Sequence, residues 1–316
     1  MESQSPATLQ EAIVYYANPD NCLNYLASKR WPKGVICPTC GSQSVSFMPK
    51  HQRWQCSSHH SKRQFSIKTG TIFEDSPLAL DKWLPAMWLL TNAKNGISSW
   101  ELHRALGVSQ KTAWFMLHRI RQAHQGKTGG KLAGHIEVDE TFIGGKARNM
   151  HASKRKDNPF EKAVVMGVLK RGGEVRATVV ENRAIETLQP IVEKHVRKGS
   201  NVYTDELISY WGLDEKFAHQ VINHAEAYVD GQVHTNGLEN FWSLLKRSLK
   251  GTYIAVEPFH LFRYIDEQAF RYNNRRDMTD WDRFDLAVSQ IVGKRLMYKD
   301  LIGKTGQPET GTELPF

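Results

Sequence analysis

Three acidic residues in the second half of the chain have the setting of a metal site that handles phosphate. Asp139 lies inside a predicted strand, Asp205 ends a later strand, and Glu239 lies in the first turn of a predicted helix. A carboxylate inside a strand is costly unless something pairs with it. Three carboxylates around one point can hold two divalent cations, and Mg²⁺ prefers such hard oxygen ligands and leaves room for phosphate oxygens.

The helix that contains Glu239 carries a second feature suited to phosphate. It is predicted from the sequence VHTNGLENFWSLLKRSLKG, residues 233–251. Glu239, Ser243 and Lys246 share one polar face, since they lie one and two turns apart. Apolar residues recur at helical spacing on another face and are predicted to meet a core. These are Leu238, Trp242, Leu245 and Leu249.

Each acid also has a purely local explanation. Asn236 followed three residues later by Glu239 is a helix-start capping pair. Asp205 can be a helix-start charge, and the acids around Asp139 can pair with nearby lysines. Successive strand residues point to opposite faces, so Glu140 points away from Asp139 and only one of them belongs to the candidate site. We choose Asp139.

Three of the four cysteines are spaced as metal ligands. VICPTCGS places Cys37 and Cys40 at i and i+3, as in a zinc knuckle. Cys56 with His59 repeats that spacing, and His60 is the alternative fourth ligand. Three cysteines and one histidine supply the four S and N ligands of tetrahedral Zn²⁺. The competing explanation is a chance CxxC beside two surface histidines.

The net charge of the 316-residue chain is +9, and the excess lies in its N-terminal part. Residues 1–134 hold 16 Lys and Arg against 7 Asp and Glu, whereas residues 135–316 hold 26 of each. Such a basic segment is typical of nucleic-acid-binding proteins, although a basic domain without that role has the same composition. The chain has no apolar run of the roughly 18 residues that span a bilayer. We find no signal peptide and expect a cytoplasmic protein with reduced thiols and no membrane partner.

Residues 97–123 predict two helices joined by a short turn. Ser98 or Ser99 caps the first helix, Gly107 lies in the turn, and Ser109 caps the second. This arrangement is typical of a helix-turn-helix, in which the second helix enters the major groove of DNA. A plain helical hairpin is the alternative.

The second helix of this pair carries the candidate DNA-binding residues. Its first turn would lie nearest the bases, with Gln110, Lys111 and Thr112 as the contacts. Arg119 and Arg121, further along, are predicted to meet phosphates.

The hydropathy pattern changes after a glycine- and lysine-containing linker at residues 125–134. Beyond it the pattern predicts three strands, a helix, a strand, a helix, a strand and a helix. This order favours the α/β class, with a mixed sheet and flanking helices. The predicted segments are an N-terminal helical segment at 1–34, a zinc ribbon at 35–75, a helix-turn-helix domain at 76–124, the linker, the α/β domain at 135–276, and a C-terminal helix with a disordered tail at 277–316.

Taken together, these stretches resemble bacterial insertion-sequence transposases of the DDE type (the ISXO-type family). Members carry an N-terminal zinc ribbon and a ribonuclease H-like catalytic domain. The resemblance runs from about Asn21 to Arg276, and the combination of motifs is specific although no single motif is. The motifs are YLASKRWPKGVICPTCG, FSIKTGTIFEDS, GVSQKTAWFMLHRIR, VDETFIGGK, VYTDE, HTNGLENFWSLLKR and FRYNNR. The ribbon departs from the family pattern where Cys56-Ser-Ser-His59 replaces a second CxxC.

The resemblance implies roles for residues already singled out. The implied catalytic triad, holding Mg²⁺ or Mn²⁺, is Asp139, Asp205 and Glu239. Lys246 matches a basic residue that holds DNA near the active site, and His234 and Asn236 match positions that support it. The implied partners are double-stranded DNA, as terminal inverted repeats and as target, and further copies of the chain in a synaptic complex.

The implied reaction hydrolyses a phosphodiester at the repeat end and joins the freed 3′-hydroxyl to target DNA. A catalytically inactive DNA-binding regulator is one alternative, and the presence of all three acids with Lys246 disfavours it. A ribonuclease H-like nuclease that acts in DNA repair or on RNA is another alternative. The predicted sequence-specific DNA-binding domain in the N-terminal part argues against it. A basic loop at residues 146–156 is expected either to contact DNA beside the site or to be a solvated charge run.

Overall fold

The chain forms two compact units, which divide at Gly126 and Asn274. The computed structural model describes residues 5–126, 129–144, 162–205, 207–222 and 234–304. The described residues up to Gly126 and those from Asn274 onward form the first unit, and the described residues between them form the second. The sequence predicts residues 277–316 as a separate C-terminal segment, whereas the helices after Asn274 belong to the first unit. The basic loop at 146–156 and the tail beyond residue 304 lie outside the described residues.

The helices and strands are numbered along the chain. The helices are α1 Leu9–Tyr16, α2 Pro19–Arg30, α3 Leu80–Asn92, α4 Ser99–Leu106, α5 Gln110–His124, α6 Ile185–His195, α7 Asn236–Ser248, α8 Leu261–Asn273, α9 Asp280–Ser289 and α10 Tyr298–Leu301. The strands are β1 Val45–Met48, β2 Arg53–Cys56, β3 Gln64–Ser66, β4 His135–Ile143, β5 Ala163–Lys170, β6 Val175–Val180, β7 Asn201–Asp205 and β8 Ala218–Ile222. No helix in the described part of the chain is long and apolar enough to cross a membrane.

The helix boundaries of the first unit follow local capping signals. Ser98 caps α4 in a capping box with Glu101, and Ser109 caps α5 by accepting a hydrogen bond from the backbone of Thr112. Gly107 between them has φ of 64°, the left-handed conformation that ends a helix and that glycine adopts without strain. The predicted pair of helices and its turn are therefore confirmed.

The three short strands of the first unit form an antiparallel sheet in the order β1-β2-β3. The side chains of Trp54, Phe65 and Ile67 are buried and form its core. Trp31, at the end of α2, adds a ring 5.2 Å from that of Trp54. Because this core is small, the ribbon needs another source of stability.

The second unit contains a mixed five-stranded sheet in the order β6-β5-β4-β7-β8, which confirms the predicted α/β class. The central strand β4 pairs antiparallel with β5 and parallel with β7. Ile136 and Val138 of β4 are buried in the same core as Leu188 and Val192 of α6. Residues of β4 alternate between two faces, so Glu137 and Asp139 share the other face.

Helix α7 lies against that other face of the sheet. Its predicted apolar residues Leu238, Trp242 and Leu245 are buried there, and Leu249, which follows its last residue, is buried in the same core. Gly167 of β5 permits this approach, since a Cβ at that position would come within 2.7 Å of Cζ2 of Trp242. The sheet and α7 thus bring the elements that carry Asp139 and Glu239 together.

Candidate active site and metal centre

Asp139 lies on the central strand with its carboxylate tied to α7. The Nε1–H of Trp242 donates a hydrogen bond of 2.8 Å to its Oδ2. Burial, together with the charges of Glu140 and Asp205, raises the pKa of Asp139 to about 7, although the hydrogen bond from Trp242 opposes this rise. Asp139 is therefore a partly buried acid beside other acids, and such settings are common at functional sites.

Asp205 is the last residue of β7, the parallel neighbour of β4. The two strands pair from His135 with Asn201 to Glu137 with Tyr203, and the same register carried two residues further sets Asp139 beside Asp205. The influence of Asp205 on the pKa of Asp139 agrees with that placement. The Oδ1 of Asp205 accepts a hydrogen bond of 3.2 Å from the backbone of Leu207.

Glu239 lies in the first turn of α7 with an exposed side chain. The helix begins at Asn236, after Thr235, so Asn236 is inside the helix and is not its N-cap. The backbone of Glu239 donates to the carbonyl of Thr235, and the local capping pair considered from the sequence is not formed. Lys246 lies two turns further along α7 and is half-buried.

The three predicted acids do not form a group whose ligand atoms all lie within 4.8 Å of one another. In the described parts of the chain, the group of three or more His, Cys, Asp or Glu ligand atoms found within 4.8 Å of one another involves cysteines and a histidine, not these acids. Asp139 and Asp205 are close enough to raise the pKa of Asp139, and Glu239 is one turn from Trp242, which binds Asp139. The neighbouring carboxylates of Asp139 and Asp205 are hard oxygen ligands that fit a divalent cation such as Mg²⁺.

Glu140 faces the opposite side of β4 from Asp139. Its Oε2 accepts a hydrogen bond of 2.7 Å from the hydroxyl of Tyr210, and its Oε1 lies 3.6 Å from Nη1 of Arg183. Burial raises the pKa of Glu140, and Asp205 raises it too, while the bonds to Tyr210 and Arg183 oppose the rise. Glu140 is thus held within the protein by specific partners.

A second buried acid, Glu137, was not singled out from the sequence. Its Oε1 is 2.9 Å from Nε of Arg171 and 3.3 Å from Nδ1 of His234, and its Oε2 accepts a hydrogen bond of 3.0 Å from the backbone of Leu238. His234, predicted to support the site, therefore contacts Glu137. The available sequence signal was that Glu137 and Asp139 lie on the same face of one strand. Nothing local indicated Arg171.

Replacing Asp139 with asparagine is expected to stabilise the protein at neutral and alkaline pH. The unfolded carboxyl ionises near 3.8 and the folded one near 7, so the folded state loses stability as pH rises through that window. The asparagine side chain carries no charge, and we expect a gain of about 4 kcal/mol at pH 8 that vanishes below about pH 4. Thermal unfolding in EDTA at several pH values measures this. An equal difference at all pH values would contradict it.

Four side chains of the ribbon form the predicted metal centre. The ligand atoms of Cys37, Cys40, Cys56 and His60 all lie within 4.8 Å of one another. The Sγ atoms of Cys40 and Cys56 are 3.6 Å apart, and Nε2 of His60 is 3.5 Å from Sγ of Cys37. Tetrahedral Zn²⁺ with Zn–S bonds of about 2.3 Å places its sulfur ligands roughly 3.8 Å apart, so the cluster fits zinc.

The preference for His59 as the fourth ligand is corrected to His60. Cys56 ends β2, and its backbone N–H donates to the carbonyl of Arg63, which closes a loop that contains both histidines. Within that loop Nδ1 of His60 lies 2.6 Å from the carbonyl of Ser61, which aims Nε2 at the cysteines. His59 is exposed.

The thiol of Cys56 is the one most readily ionised for metal binding. Burial opposes ionisation of Cys56, but hydrogen bonds from His60 and the loop backbone lower its pKa to about 6. Metals bind the thiolate form, so a lowered pKa favours ligation at neutral pH.

The predicted phosphate contacts of α5 are not on the surface. Arg119 is 4% exposed and Arg121 is 1% exposed. Arg119 donates to the backbone carbonyls of Leu296 and Glu74, so its guanidinium joins parts of the first unit together. Both arginines are therefore structural, and the expectation that they meet DNA phosphates is wrong.

The first turn of α5 remains accessible. Lys111 is exposed, with Nζ 4.7 Å from the ring centre of Tyr298. Gln110 donates a hydrogen bond of 2.8 Å to the hydroxyl of Ser99, and the hydroxyl of Thr112 is 2.8 Å from that of Ser109. These contacts orient the three predicted base-reading side chains and leave Lys111 the most available to a ligand.

Comparisons with known proteins match both units. Residues 131–273 match the ISXO2-like transposase domain, and residues 17–62 match the transposase zinc-ribbon domain. A protein described as uncharacterized, in transposable element ISH50 of Halobacterium salinarum, is 29% identical over 255 residues, which are 75% of this chain and 85% of that protein. An uncharacterized transposase-like protein of Haemophilus influenzae is 36% identical over 102 residues, which are 32% of this chain and 82% of that protein.

Proposed function

Because the chain belongs to the family of ISXO2-like transposases with a zinc ribbon, we propose that it cuts and joins DNA at the ends of its own insertion sequence. It would bind the terminal inverted repeats, hydrolyse a phosphodiester at each end, and join the freed 3′-hydroxyl to target DNA. This proposal is best supported by the hydrogen bond from Trp242 to Asp139, which links the acid of the central strand to the helix that carries Glu239. The sheet order, with β4 central, supports a ribonuclease H-like fold for this unit.

In this proposal Asp139, Asp205 and Glu239 hold two Mg²⁺ or Mn²⁺ ions. When bound, such ions activate the attacking oxygen and stabilise the leaving one. The protein's own residues position the ligands: β4 and β7 set Asp139 beside Asp205, and Trp242 keeps the Asp139 carboxylate oriented. In hydrolysis the water oxygen bonds to phosphorus and water loses a proton to solvent, while the P–O3′ bond breaks and the 3′-oxygen takes up a proton from solvent to become the new hydroxyl. Lys246, on the helix of Glu239, would hold the DNA backbone near the acids.

Recognition of the repeat is assigned to the first unit. We propose that α4 and α5 act as a helix-turn-helix, with Gln110, Lys111 and Thr112 at the end of α5 that meets base edges. The zinc-bound ribbon would add contacts to the DNA backbone. The basic N-terminal part of the chain supports this assignment. Pairing of two ends in one complex requires further copies of the chain.

The proposal is tested with purified protein and a duplex that carries the repeat flanking its own gene, beside a scrambled duplex of equal length. Binding is measured over a range of salt concentrations and cleavage with Mg²⁺ or EDTA. We expect tighter binding to the repeat, with affinity falling steeply as salt rises, and Mg²⁺-dependent cutting at the repeat end. Binding without cutting would favour a DNA-binding regulator. Equal cutting of both duplexes would favour a general nuclease.

A further inference from the structure

Glu137 lies beside the candidate active site, yet its carboxylate faces the start of α7. The side chain is 1% exposed. Its Oε2 accepts a hydrogen bond from the backbone N–H of Leu238. Its Oε1 accepts a hydrogen bond from Nε of Arg171 and lies 3.3 Å from Nδ1 of His234. A buried carboxylate with charged and backbone donors is held in one position, because leaving any of them unpaired is costly.

Arg171 fixes this carboxylate to the rest of the second unit. Its Nη2 donates a hydrogen bond of 2.6 Å to the carbonyl of His234, in the segment that enters α7. Its guanidinium also lies 4.1 Å from the ring centre of Tyr203 on β7. The hydroxyl of Tyr203 is in turn 2.7 Å from Nδ1 of His135 on β4. The contacts around Glu137 thus join β4, β7 and the start of α7.

Two hydrogen bonds fasten α7 to β4, one on each side of Glu239. Leu238 donates its backbone N–H to Glu137, and Trp242 donates its indole N–H to Asp139. The acceptors lie two residues apart on a strand, about 6.6 Å. The donors belong to residues four apart on the helix, whose positions differ by a rise of about 6 Å. Together the two bonds therefore favour one register of α7 on the strand.

Close packing at the same place supports this register. A Cβ at Gly237 would come within 2.3 Å of Cδ2 of Leu169 and 2.7 Å of Oε2 of Glu137. The start of α7 therefore lies too close to the sheet for any side chain at that position. A shift of α7 along the strand would lose both hydrogen bonds and this fit.

We propose that Glu137 is a positioning residue of the DNA-cutting site. By binding the N–H of Leu238 it sets the register of α7 on β4 and hence the placement of Glu239 relative to Asp139. The inference rests on the proposed function, since it concerns the metal-binding acids of that site. Its consequence is that loss of Glu137 weakens metal binding even in protein that remains folded.

The test compares Glu137→Ala, Glu137→Gln and a matched control, Glu193→Gln. Glu193 forms an exposed ion pair with Lys216 on the same unit and makes none of the contacts above. The Mg²⁺ concentration for half-maximal cleavage is measured with the melting temperature. Loss of a group that orients metal ligands raises the metal requirement about 10- to 100-fold, and we expect this for Glu137→Ala. Glu137→Gln keeps an acceptor for Leu238 and should show a smaller rise, and the control none.

A purely structural role would lower the melting temperature and leave the Mg²⁺ midpoint unchanged. If Glu137→Ala does not fold, the Mg²⁺ midpoints of Glu137→Gln and Trp242→Phe test the inference. Trp242→Phe keeps an aromatic ring over Gly167 but removes the hydrogen-bond donor to Asp139. Unchanged midpoints in folded variants would overturn the inference alone. Absence of cutting by the unaltered protein would instead overturn the proposed function, and Mn²⁺ affinity measured by calorimetry without DNA still tests Glu137 in that case.

Discussion

Asp139→Asn is expected to lower the rate of DNA cleavage by about 1,000-fold while the protein stays folded, because several kcal/mol of transition-state stabilisation depend on a charged metal ligand. Asparagine has nearly the same shape and keeps an oxygen to accept the bond from Trp242, so the packing of α7 should persist. It cannot supply the negative charge. Single-turnover cleavage of the repeat-end duplex in Mg²⁺ measures the loss.

Glu140→Gln is the matched control on the same strand. Glu140 faces Tyr210 and Arg183 on the opposite side of β4, and we expect less than about a 10-fold effect on cleavage from losing one charge there. The pair of variants decides which adjacent acid does the chemistry. Equal losses, or a larger loss for Glu140→Gln, would contradict the assignment of Asp139.

Removing zinc is expected to unfold the ribbon and to abolish tight binding of the repeat. The core around Trp54 and Phe65 is too small to be stable by itself, and structural zinc contributes about 10 kcal/mol or more in small domains. Cys37→Ser, or a strong chelator, should therefore reduce the zinc content from one per chain to near zero. Near-ultraviolet circular dichroism reports the loss of tryptophan packing, and a binding titration with the repeat duplex reports the loss of affinity.

Two histidine variants and one cysteine variant sharpen this prediction. His60→Ala is expected to weaken zinc affinity at least about 100-fold, because it removes a direct ligand. His59→Ala should retain zinc, since His59 is exposed and outside the cluster. Cys22→Ser should also retain it, because Cys22 is buried in α2 and donates to the carbonyl of Tyr16. Loss of zinc in His59→Ala with retention in His60→Ala would contradict the ligand set.

Local signals in the sequence were sufficient for most elements of the fold. The break between α1 and α2 follows from Asn18 and Pro19, and the turn between β5 and β6 contains Gly172 with φ of 71°. The apolar face of α7 was predicted from its 3.6-residue period. Such features depend on neighbours within one or two turns, so a single sequence contains them.

Most of the predictions that were wrong depended on contacts distant in sequence. Arg119 and Arg121 have the pattern of exposed charges on an amphipathic helix. Arg119 instead donates hydrogen bonds to the carbonyls of Leu296 and Glu74, and the sequence of the helix alone does not indicate either partner. The return of the chain to the first unit after Asn274 is equally non-local. His60 replaced His59 because loop geometry, not ligand spacing, sets the fourth position.

The acids of the candidate site could be predicted from the sequence, but the hydrogen bonds and ion pairs that position them could not. Asp139, Asp205 and Glu239 remain predictions as catalytic residues, and their strand and helix positions follow from pattern alone. The bond from Trp242 to Asp139 was hidden because Trp242 also fits the apolar period of α7. Arg171 reaches Glu137 from a separate turn, and no periodicity indicates such a pair.

Replacing Asp205 with cysteine is expected to change the metal that cleavage requires. Mg²⁺ binds sulfur poorly, whereas Mn²⁺ accepts softer ligands, so a thiolate in place of a metal-binding carboxylate should make cleavage depend on Mn²⁺. We predict that the unaltered protein cuts the repeat end in either metal, that Asp205→Cys cuts only in Mn²⁺, and that Asp205→Asn cuts in neither. Cutting by Asp205→Cys in Mg²⁺ at the unaltered rate, or by Asp205→Asn, would contradict metal binding by this acid.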